Sequence, residues 1–347
     1  TAGAGGGPLA ILFISEEPQV DAQYAAELAD AGFSLTGVSY FTPMTPAFLK
    51  KFNLFVIDRL PIANEQNNIF GQRMLQYWAN MAVIRQYVAE GAGLLVYSNL
   101  ADCGGALAGG WNEEMRRYGI QAQQACILDR SLAFSKWRAY GENAYGWTEN
   151  LAKHPVTDGL KRIYYPMANT RWDDCYTAPP LVCDASWTPI VKAMAGARVG
   201  TLVDGEWLYE PDGVGDLVLA AVRAVGKGRL GAVTINPSYI HRLTYTKLGN
   251  NNYGEMSYGP IDGIILKKGN GEVPSDTGAL VSRLYAWLAA PSAAVGFGGY
   301  KAGDPIEEIE LPLTDEENAF SPVLDPDTML MPTSWRHRPM PYRLNGV

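Results

Sequence analysis

The chain has 347 residues, of which 47% are hydrophobic and 18% are charged, and this is the composition of a folded globular protein. The formal net charge of −8, with basic residues clustered only at Arg336, His337 and Arg338, argues against a nucleic-acid-binding surface. No stretch approaches the roughly 20 consecutive apolar residues that a membrane-spanning helix requires.

The first third of the chain alternates predicted strands and helices. Leu9–Ser15 is a continuous apolar run typical of a strand buried on both faces. Residues 20–31 have helical spacing and stop at Gly32, residues 35–40 form a second strand, and residues 45–51 form a short helix with Thr45 as the N-cap and Pro46 in the first turn. Leu54–Ile57 is predicted as a third strand.

A long helix is predicted over residues 72–90, followed by a buried fourth strand at 94–98. Strands that alternate with helices in this way predict a right-handed, parallel, doubly wound α/β sheet. Later in the chain we predict a helix at 214–225, a buried strand at 230–235 and a final amphipathic helix at 275–288.

The remaining segments are rich in aromatic residues and turns. Residues 120–190 are predicted as short strands and long loops, and residues 187–194 and 198–203 are expected to pair with each other. Residues 236–263 form a long polar and aromatic loop of the kind that is usually functional or disordered. We therefore divide the chain into a flexible N-terminus (1–7), one α/β domain (8–291) and an extended linker or arm (292–347).

Five motifs carry a resemblance to a known superfamily. They are LAILFIS at the first strand, VAEGAGLLVYSN at the helix leading into the fourth strand, HPVTDGL at 154–160, VGKGRLGAVTINPS at 225–238 and LVSRLYAWLA near residue 285. In order and spacing the chain resembles the class I glutamine amidotransferase-like superfamily, especially its ThuA-like and non-catalytic branches. The resemblance spans roughly residues 8–290 and implies a flavodoxin-like sheet with helices on both faces.

The sequence departs from this superfamily where a glutaminase keeps its catalytic residues. A working glutaminase has a cysteine in a Gly-x-Cys-x-Gly elbow, whose glycines allow a tightly packed turn. At the matching position the chain has Val96-Tyr97-Ser98-Asn99-Leu100. No histidine is followed by x-Glu, so we predict that the chain does not hydrolyse glutamine.

Two sets of residues are catalytic candidates. Ser98, Asp102 and His241 form the first, a hydrolytic set at the ends of strands, although Ser98 and Asn99 are better explained as caps of the next turn. Cys103 is the second, as a reactive thiol, although a disulfide or a buried thiol explains it better. Catalytic residues are therefore not assigned.

A binding site for a carbohydrate or another small molecule is a further hypothesis. Aromatic rings stack on sugars and carboxylates accept hydrogen bonds from their hydroxyl groups, although the same residue types also form subunit interfaces. His154 is a conceivable metal ligand together with two aspartates and His241, but we predict neither a metal site nor a cofactor. The predicted ligand-binding residues are Asn99, Trp172, Asp173, Asp174, Tyr239, His241 and Tyr253.

The four cysteines include no C-x-x-C pair, so a zinc site is not indicated. The expected disulfides join Cys175 to Cys183, which closes a short loop, and Cys103 to Cys126. Disulfides and abundant aromatic residues favour a periplasmic or extracellular location; four buried thiols in a cytoplasmic protein are the alternative.

Three functions remain open. The first is a non-catalytic binding or assembly module of a larger exported protein, whose partners are other domains or subunits bound through the C-terminal arm; the abrupt ending PMPYRLNGV leads us to expect that longer protein. The second is a ThuA-like enzyme that acts on a carbohydrate or polyol. The third is a structural subunit that binds neighbouring copies through its aromatic loops and arm.

Overall fold

The structure is a computed structural model, and the residues it describes make up the core of the chain. They are residues 7–15, 22–39, 42–57, 69–97, 112, 114–123, 125–128, 134–138, 141–166, 178–203, 206–209, 216–235, 267, 269 and 273–307.

The described residues alternate between strands and helices up to residue 97 and are mainly strands between residues 120 and 233. The strands are β1 (Leu9–Ser15), β2 (Phe33–Ser39), β3 (Leu54–Ile57), β4 (Gly93–Tyr97), β5 (Ile120–Ala122), β6 (Cys126–Leu128), β7 (Phe134–Arg138), β8 (Gly141–Thr148), β9 (Ile163–Pro166), β10 (Leu181–Cys183), β11 (Thr188–Lys192), β12 (Arg198–Val203), β13 (Glu206–Tyr209), β14 (Val218–Val225) and β15 (Gly228–Val233). The helices are α1 (Ala22–Asp30), α2 (Pro46–Leu49), α3 (Ile69–Glu90) and α4 (Thr277–Ala289), with 3₁₀ turns at Arg116–Tyr118 and Ser292–Val295.

The central sheet has nine strands, and its first half is parallel. The strand order β2-β1-β3-β4-β15 has parallel pairing at every step. This is the 2-1-3-4-5 order of flavodoxin-like folds. The prediction of a doubly wound, mostly parallel α/β sheet is therefore confirmed, as are the predicted cap at Thr45, whose side chain accepts a hydrogen bond from Phe48 N, and the first-turn proline at Pro46.

The second half of the sheet is antiparallel and includes a strand that the sequence analysis assigned wrongly. Residues 214–225 were predicted as a helix, but Val218–Val225 is strand β14, joined to β15 by a tight turn at Gly226. An apolar run with three alanines fits a buried helix as well as a buried strand. The antiparallel partner β15 decides between them, because it satisfies the backbone of β14.

Two further small sheets lie beside the central one, with orders β13-β12-β6 and β7-β8-β9. The prediction that residues 187–194 and 198–203 pair with each other is wrong. Strand β11 pairs with β14 of the central sheet, whereas β12 pairs with β13 and β6. Both strands exist, but each satisfies its backbone with a different partner.

The central strands are buried on both faces, and alternate residues feed two separate cores. In β4, Leu95 and Tyr97 belong to the core under α1 and α4, and Leu94 and Val96 belong to the core under α2 and α3. All four are at most 1% exposed. This double burial requires helix layers on both faces of the sheet.

Residues 291–307, which we call the C-terminal strap, fold back over the α2 side of the domain. A buried asparagine, Asn53, holds its start: its side chain accepts a hydrogen bond from Ala10 N at 2.8 Å and donates to Ser292 Oγ at 2.8 Å and Phe297 O at 3.0 Å. The strap then runs antiparallel to residues 45–51, because Gly298 N donates to Lys50 O and Thr45 N donates to Glu307 O.

Aromatic rings fix the middle of the strap. Tyr300 stacks on Phe52 at 4.7 Å and meets Phe48 edge-on at 5.5 Å, and Phe297 meets Tyr87 edge-on at 5.1 Å. The strap therefore belongs to the folded unit, although it lies beyond the predicted boundary at residue 291. The division into domains remains a prediction, because residues 1–6 and 308–347 lie outside the described part of the chain.

None of the described helices is long and apolar enough to cross a membrane.

We predict that Tyr300→Ala will lower the free energy of unfolding by about 3 kcal/mol, because it removes a buried ring that packs against two phenylalanines. Tyr300→Phe keeps the ring and loses only the hydrogen bond from the hydroxyl to Asp304 O, so a loss of about 1 kcal/mol is expected. Urea unfolding of both variants measures the difference. Equal, small losses would show that the strap does not stabilise the domain.

Candidate functional site

The parallel strands all end at one edge of the sheet, which we call the carboxyl edge. It is formed by the ends of β1, β2, β3, β4 and β15, at Ser15, Ser39, Ile57, Tyr97 and Val233. The strand order reverses direction between β1 and β3, and in open α/β sheets ligands bind at such a switch point. The carboxyl edge is therefore the candidate functional site.

At the end of β4, the residue before the candidate Ser98 points into the core. Tyr97 is 1% exposed, and its hydroxyl lies 3.5 Å from the hydroxyl of Tyr285 on α4. Val96, which takes the position of the first glycine in a glutaminase elbow, is fully buried between the sheet and α3. The end of β4 is thus an ordinary core strand.

Beneath the carboxyl edge lies a cluster of buried tyrosines. The pKa of Tyr24 is held well above its ordinary value, mainly by burial and to a smaller extent by the neighbouring Tyr285. The hydroxyl of Tyr24 therefore stays protonated at physiological pH and carries no charge. The ring of Phe33 meets the ring of Tyr285 edge-on at 6.2 Å. The tyrosines tie α1, α4 and β4 together below the site.

The residues predicted for catalysis and ligand binding come after β4, β9 and β15 in the sequence, and they lie outside the described part of the chain. What the structure describes is the framework: β4 and β15 are neighbours, with Tyr97 opposite Val233. The loops after these two strands therefore begin side by side. The convergence of the predicted side chains around one site stays a prediction. The residues concerned are Ser98, Asn99, Asp102, Trp172, Asp173, Asp174, Tyr239, His241 and Tyr253.

Among the cysteines, the side-chain environment is described for Cys183. Cys183 is a free, partly buried thiol on β10, and burial, assisted by the charge of Asp184, raises its pKa. It is therefore a poor nucleophile at neutral pH. Because the thiol of Cys183 is free, the predicted bridge between Cys175 and Cys183 is not formed in the structure. The side chains of Cys103 and Cys126 lie outside the described part of the chain, so that bridge stays a prediction.

His154 closes a turn at the opposite end of the sheet. Its Nδ1 accepts a hydrogen bond from Val156 N at 3.2 Å, and its ring meets Trp287 edge-on at 5.0 Å. Burial and the guanidinium of Arg229 lower its pKa, so the imidazole is neutral at pH 7. His154 thus caps its own turn in the structure, and no metal-ligating cluster occurs in the described ranges.

Sequence analysis did not single out a buried ion pair that anchors the chain just after the loop following β4. Glu114 is fully buried and accepts two hydrogen bonds from Arg85 of α3, at 3.0 and 2.8 Å. Beside it, burial and the charge of Glu114 raise the pKa of Tyr118 to about 12. Because the partners lie 29 residues apart, no local pattern could indicate the contact.

The fold and the site together define an α/β protein of flavodoxin-like topology, whose fourth strand has a buried valine at the position of the first elbow glycine. No family profile and no curated protein matches the sequence. Solved structures similar to the chain include a ThuA-like protein from Bacteroides uniformis, at 11% identity over 81% of this chain and 92% of that one, with a TM-score of 0.40.

Two other similar structures extend the comparison. The cytoplasmic protein STM1381 from Salmonella typhimurium is 16% identical over 66% of this chain and 89% of that one, with a TM-score of 0.41. A GMP synthase subunit from Thermoplasma acidophilum is 10% identical over 82% of this chain and 95% of that one, with a TM-score of 0.38. At these values the fold assignment rests on the strand order of the chain itself, which is consistent with a class I amidotransferase-like fold.

We predict that Glu114→Ala will lower the free energy of unfolding by about 3–5 kcal/mol, because it leaves the Arg85 charge buried without its partner. The matched control is Glu149→Ala, which breaks an ion pair with Arg162 whose side chains are 50% and 31% exposed. Its expected loss is below about 1 kcal/mol. Similar losses in urea unfolding of the two variants would contradict a special role for the buried pair.

The neutral His154 predicts a pH dependence of stability. The pKa of His154 is lowered in the folded protein. The neutral imidazole therefore contributes fully to the free energy of unfolding above the ordinary histidine pKa, and this contribution is lost as the pH falls from there towards the lowered folded pKa. In His154→Asn the amide oxygen can still accept the hydrogen bond from Val156 N but cannot titrate. Urea unfolding at about pH 7.5 and 5.5 should show a smaller loss on acidification for the variant; equal losses would exclude His154 as a source.

Proposed function

We propose that this chain is a non-catalytic, amidotransferase-like α/β module that binds or assembles with other domains or subunits of a larger, exported protein or complex. The observation that carries the proposal is the end of β4. Val96 and Tyr97 are both buried, so the strand is committed to packing where a glutaminase needs an exposed, strained turn.

The physical argument concerns the first elbow glycine. A nucleophile elbow keeps glycine two residues before the nucleophile, because the turn approaches its neighbours too closely for a side chain. Here the valine at that position contributes its whole side chain to the core under α3. Exchanging it for glycine would leave a cavity, so an elbow at this point would conflict with the stability of the domain.

A second argument concerns the residue next to the candidate nucleophile. The contact between the hydroxyls of Tyr97 and Tyr285 fixes the end of β4 to α4. This contact supports a rigid floor for the loops above it, which suits a binding surface. In the proposed module those loops, with their aromatic and acidic residues, contact a ligand or a partner domain.

The alternative is a ThuA-like enzyme that acts on a carbohydrate or polyol at the same loops. The observation in its favour is that β4 and β15 are neighbours, so the loops with Ser98, Asp102 and His241 begin side by side. In this alternative Trp172 stacks on the sugar ring and Asp173 accepts hydrogen bonds from its hydroxyl groups.

We expect the purified full chain to release no ammonia from glutamine and to hydrolyse neither esters nor glycosides above background. Ser98→Ala and His241→Ala should leave that background unchanged. A hydrolytic activity that falls at least about 100-fold in Ser98→Ala would overturn the proposal and favour the enzyme, because loss of a nucleophile removes most of the catalysis.

Ligand binding is measured separately by titrating mono- and oligosaccharides against tryptophan fluorescence. In the proposed module, binding without turnover should weaken about tenfold in Trp172→Ala, since stacking of a ligand ring on an aromatic side chain is worth about 1–3 kcal/mol. Trp287→Phe, at the opposite end of the sheet, is the matched control. If no sugar binds, the assembly role alone is retained.

Assembly through the arm is tested by light scattering of the full chain and of a variant ending after Glu307, which keeps the packed strap. Loss of self-association on truncation would favour the structural-subunit version of the proposal. An unchanged mass would exclude assembly of copies through residues 308–347.

A further inference from the structure

At one end of the nine-stranded sheet lies a strand whose outer edge is not paired by any described residue. Strand β2 pairs with β1 and with no other described strand. Leu9 N donates to Gly32 O, so the even-numbered residues of β2 turn their backbone groups towards β1 and the odd-numbered ones turn them outward. Phe33, Leu35 and Gly37 thus present N–H and C=O groups that no described part of the chain pairs.

The described residues of this edge carry no charge, proline or bulge that would prevent strands of different molecules from pairing. Its sequence, FSLTGVS, contains no charged residue and no proline, and its register with β1 runs unbroken from Leu9 and Phe33 to Ser15 and Ser39, without a bulge. Natural edge strands are typically protected by lysine, proline, bulges or shortness. The last strand in the order at the opposite end, β5, has only three residues, so shortness protects that one.

The helix that packs on β2 also has small, uncharged side chains along much of its exposed face. Helix α1 turns Ala22, Ala26 and Ala29 towards solvent, one turn apart along a single face. The negative charge of Glu27 is compensated by an ion pair with Lys267, and Asp30 stands at the last residue of the helix. Small, uncharged side chains along the rest of this face allow another helix to approach closely.

We propose that β2 pairs with β2 of a second copy of this chain, antiparallel and around a two-fold axis that passes beside Leu35. Ser39, the last outward residue, already accepts a hydrogen bond from Thr42 N at its carbonyl. The other outward residues are symmetric about Leu35, so Leu35 faces Leu35 of the second copy and Phe33 faces Gly37. Each of these facing residues exchanges two backbone hydrogen bonds with its partner, giving about six in all. The result is one continuous sheet through both copies.

The same symmetry explains why a second copy fits better than an unrelated peptide. An axis perpendicular to the sheet places the two α1 helices on the same face, where their alanine surfaces meet in an isologous contact. The absence of charge on β2 removes the repulsion that self-pairing of a charged strand would cause. The proposal does not rest on the proposed function, because β2 and α1 contain none of its site residues.

The test uses the full chain in light scattering and sedimentation at about 10 to 100 μM. The expected mass is twice 37.8 kDa. Gly37→Pro removes an outward N–H and leaves the ladder to β1 intact, and Ala26→Glu places like charges on the facing helices. Each should weaken dimerisation at least tenfold, whereas Gly37→Ala should leave it within a few-fold of the parent chain.

Two measurements make failure informative. Circular dichroism and thermal unfolding of Ala26→Glu, an exposed helix position, should show a folded monomer. A variant with both Ser34→Cys and Thr36→Cys should trap the dimer through disulfides. Ser34 faces Thr36 of the second copy in a non-hydrogen-bonded pair, whose Cα atoms lie about 4.5 Å apart. A monomer throughout the concentration range, or a dimer unaffected by both variants, would overturn the proposal; a dimer lost only on removal of residues 308–347 would assign it to the arm instead.

Discussion

The rest of the structure depends on one constraint, the burial of the central parallel strands on both faces. Strands β1, β3 and β4 carry apolar side chains above and below the sheet, and they pair with neighbouring parallel strands. Parallel neighbours need crossover connections, which supply the helix layers that cover both faces. The same crossovers send every loop after a parallel strand to the carboxyl edge, so the position of the candidate site is a consequence of how the core is buried.

Within that core, Asn53 shows how a single polar residue can connect distant parts of the chain. It lies just before β3, is 3% exposed, and satisfies its amide with the backbone of β1 on one side and with the strap on the other. A buried amide without partners would be costly. The strap therefore supplies hydrogen-bond partners that the Asn53 amide requires. It also covers aromatic rings of α2 and α3 that would otherwise face water.

The sequence predicted those parts of the fold in which local pattern and tertiary environment agree. LAILFIS, LFVI and GLLVY are apolar runs that only a doubly covered strand accommodates, and they are β1, β3 and β4 in the structure. Strand β14 was missed because its alanines and valines also suit a helix, and only the contact with β15 decides the matter. Pairings such as β11 with β14, and the path of the strap, depend on contacts between residues far apart in sequence, which no periodicity encodes.

For the site, the sequence indicated that the end of β4 does not have the glycines of a glutaminase elbow. The absence of flanking glycines was visible in Val96 and Leu100, and the structure supplies the physical reason at Val96, whose side chain fills the core. The pair Arg85 and Glu114, which holds the chain beyond the next loop, was invisible because only the packing of α3 brings these residues together.

The two ends of the central sheet differ in a way that bears on function. The antiparallel half ends in the short strand β5, whereas the parallel half ends in the seven-residue strand β2, which carries no protective charge. An enzyme that works alone gains nothing from such an edge, because an unprotected strand invites non-specific pairing. In the described part of the chain β4 is committed to packing and β2 has no partner on its outer side, and both observations support the proposed role in assembly.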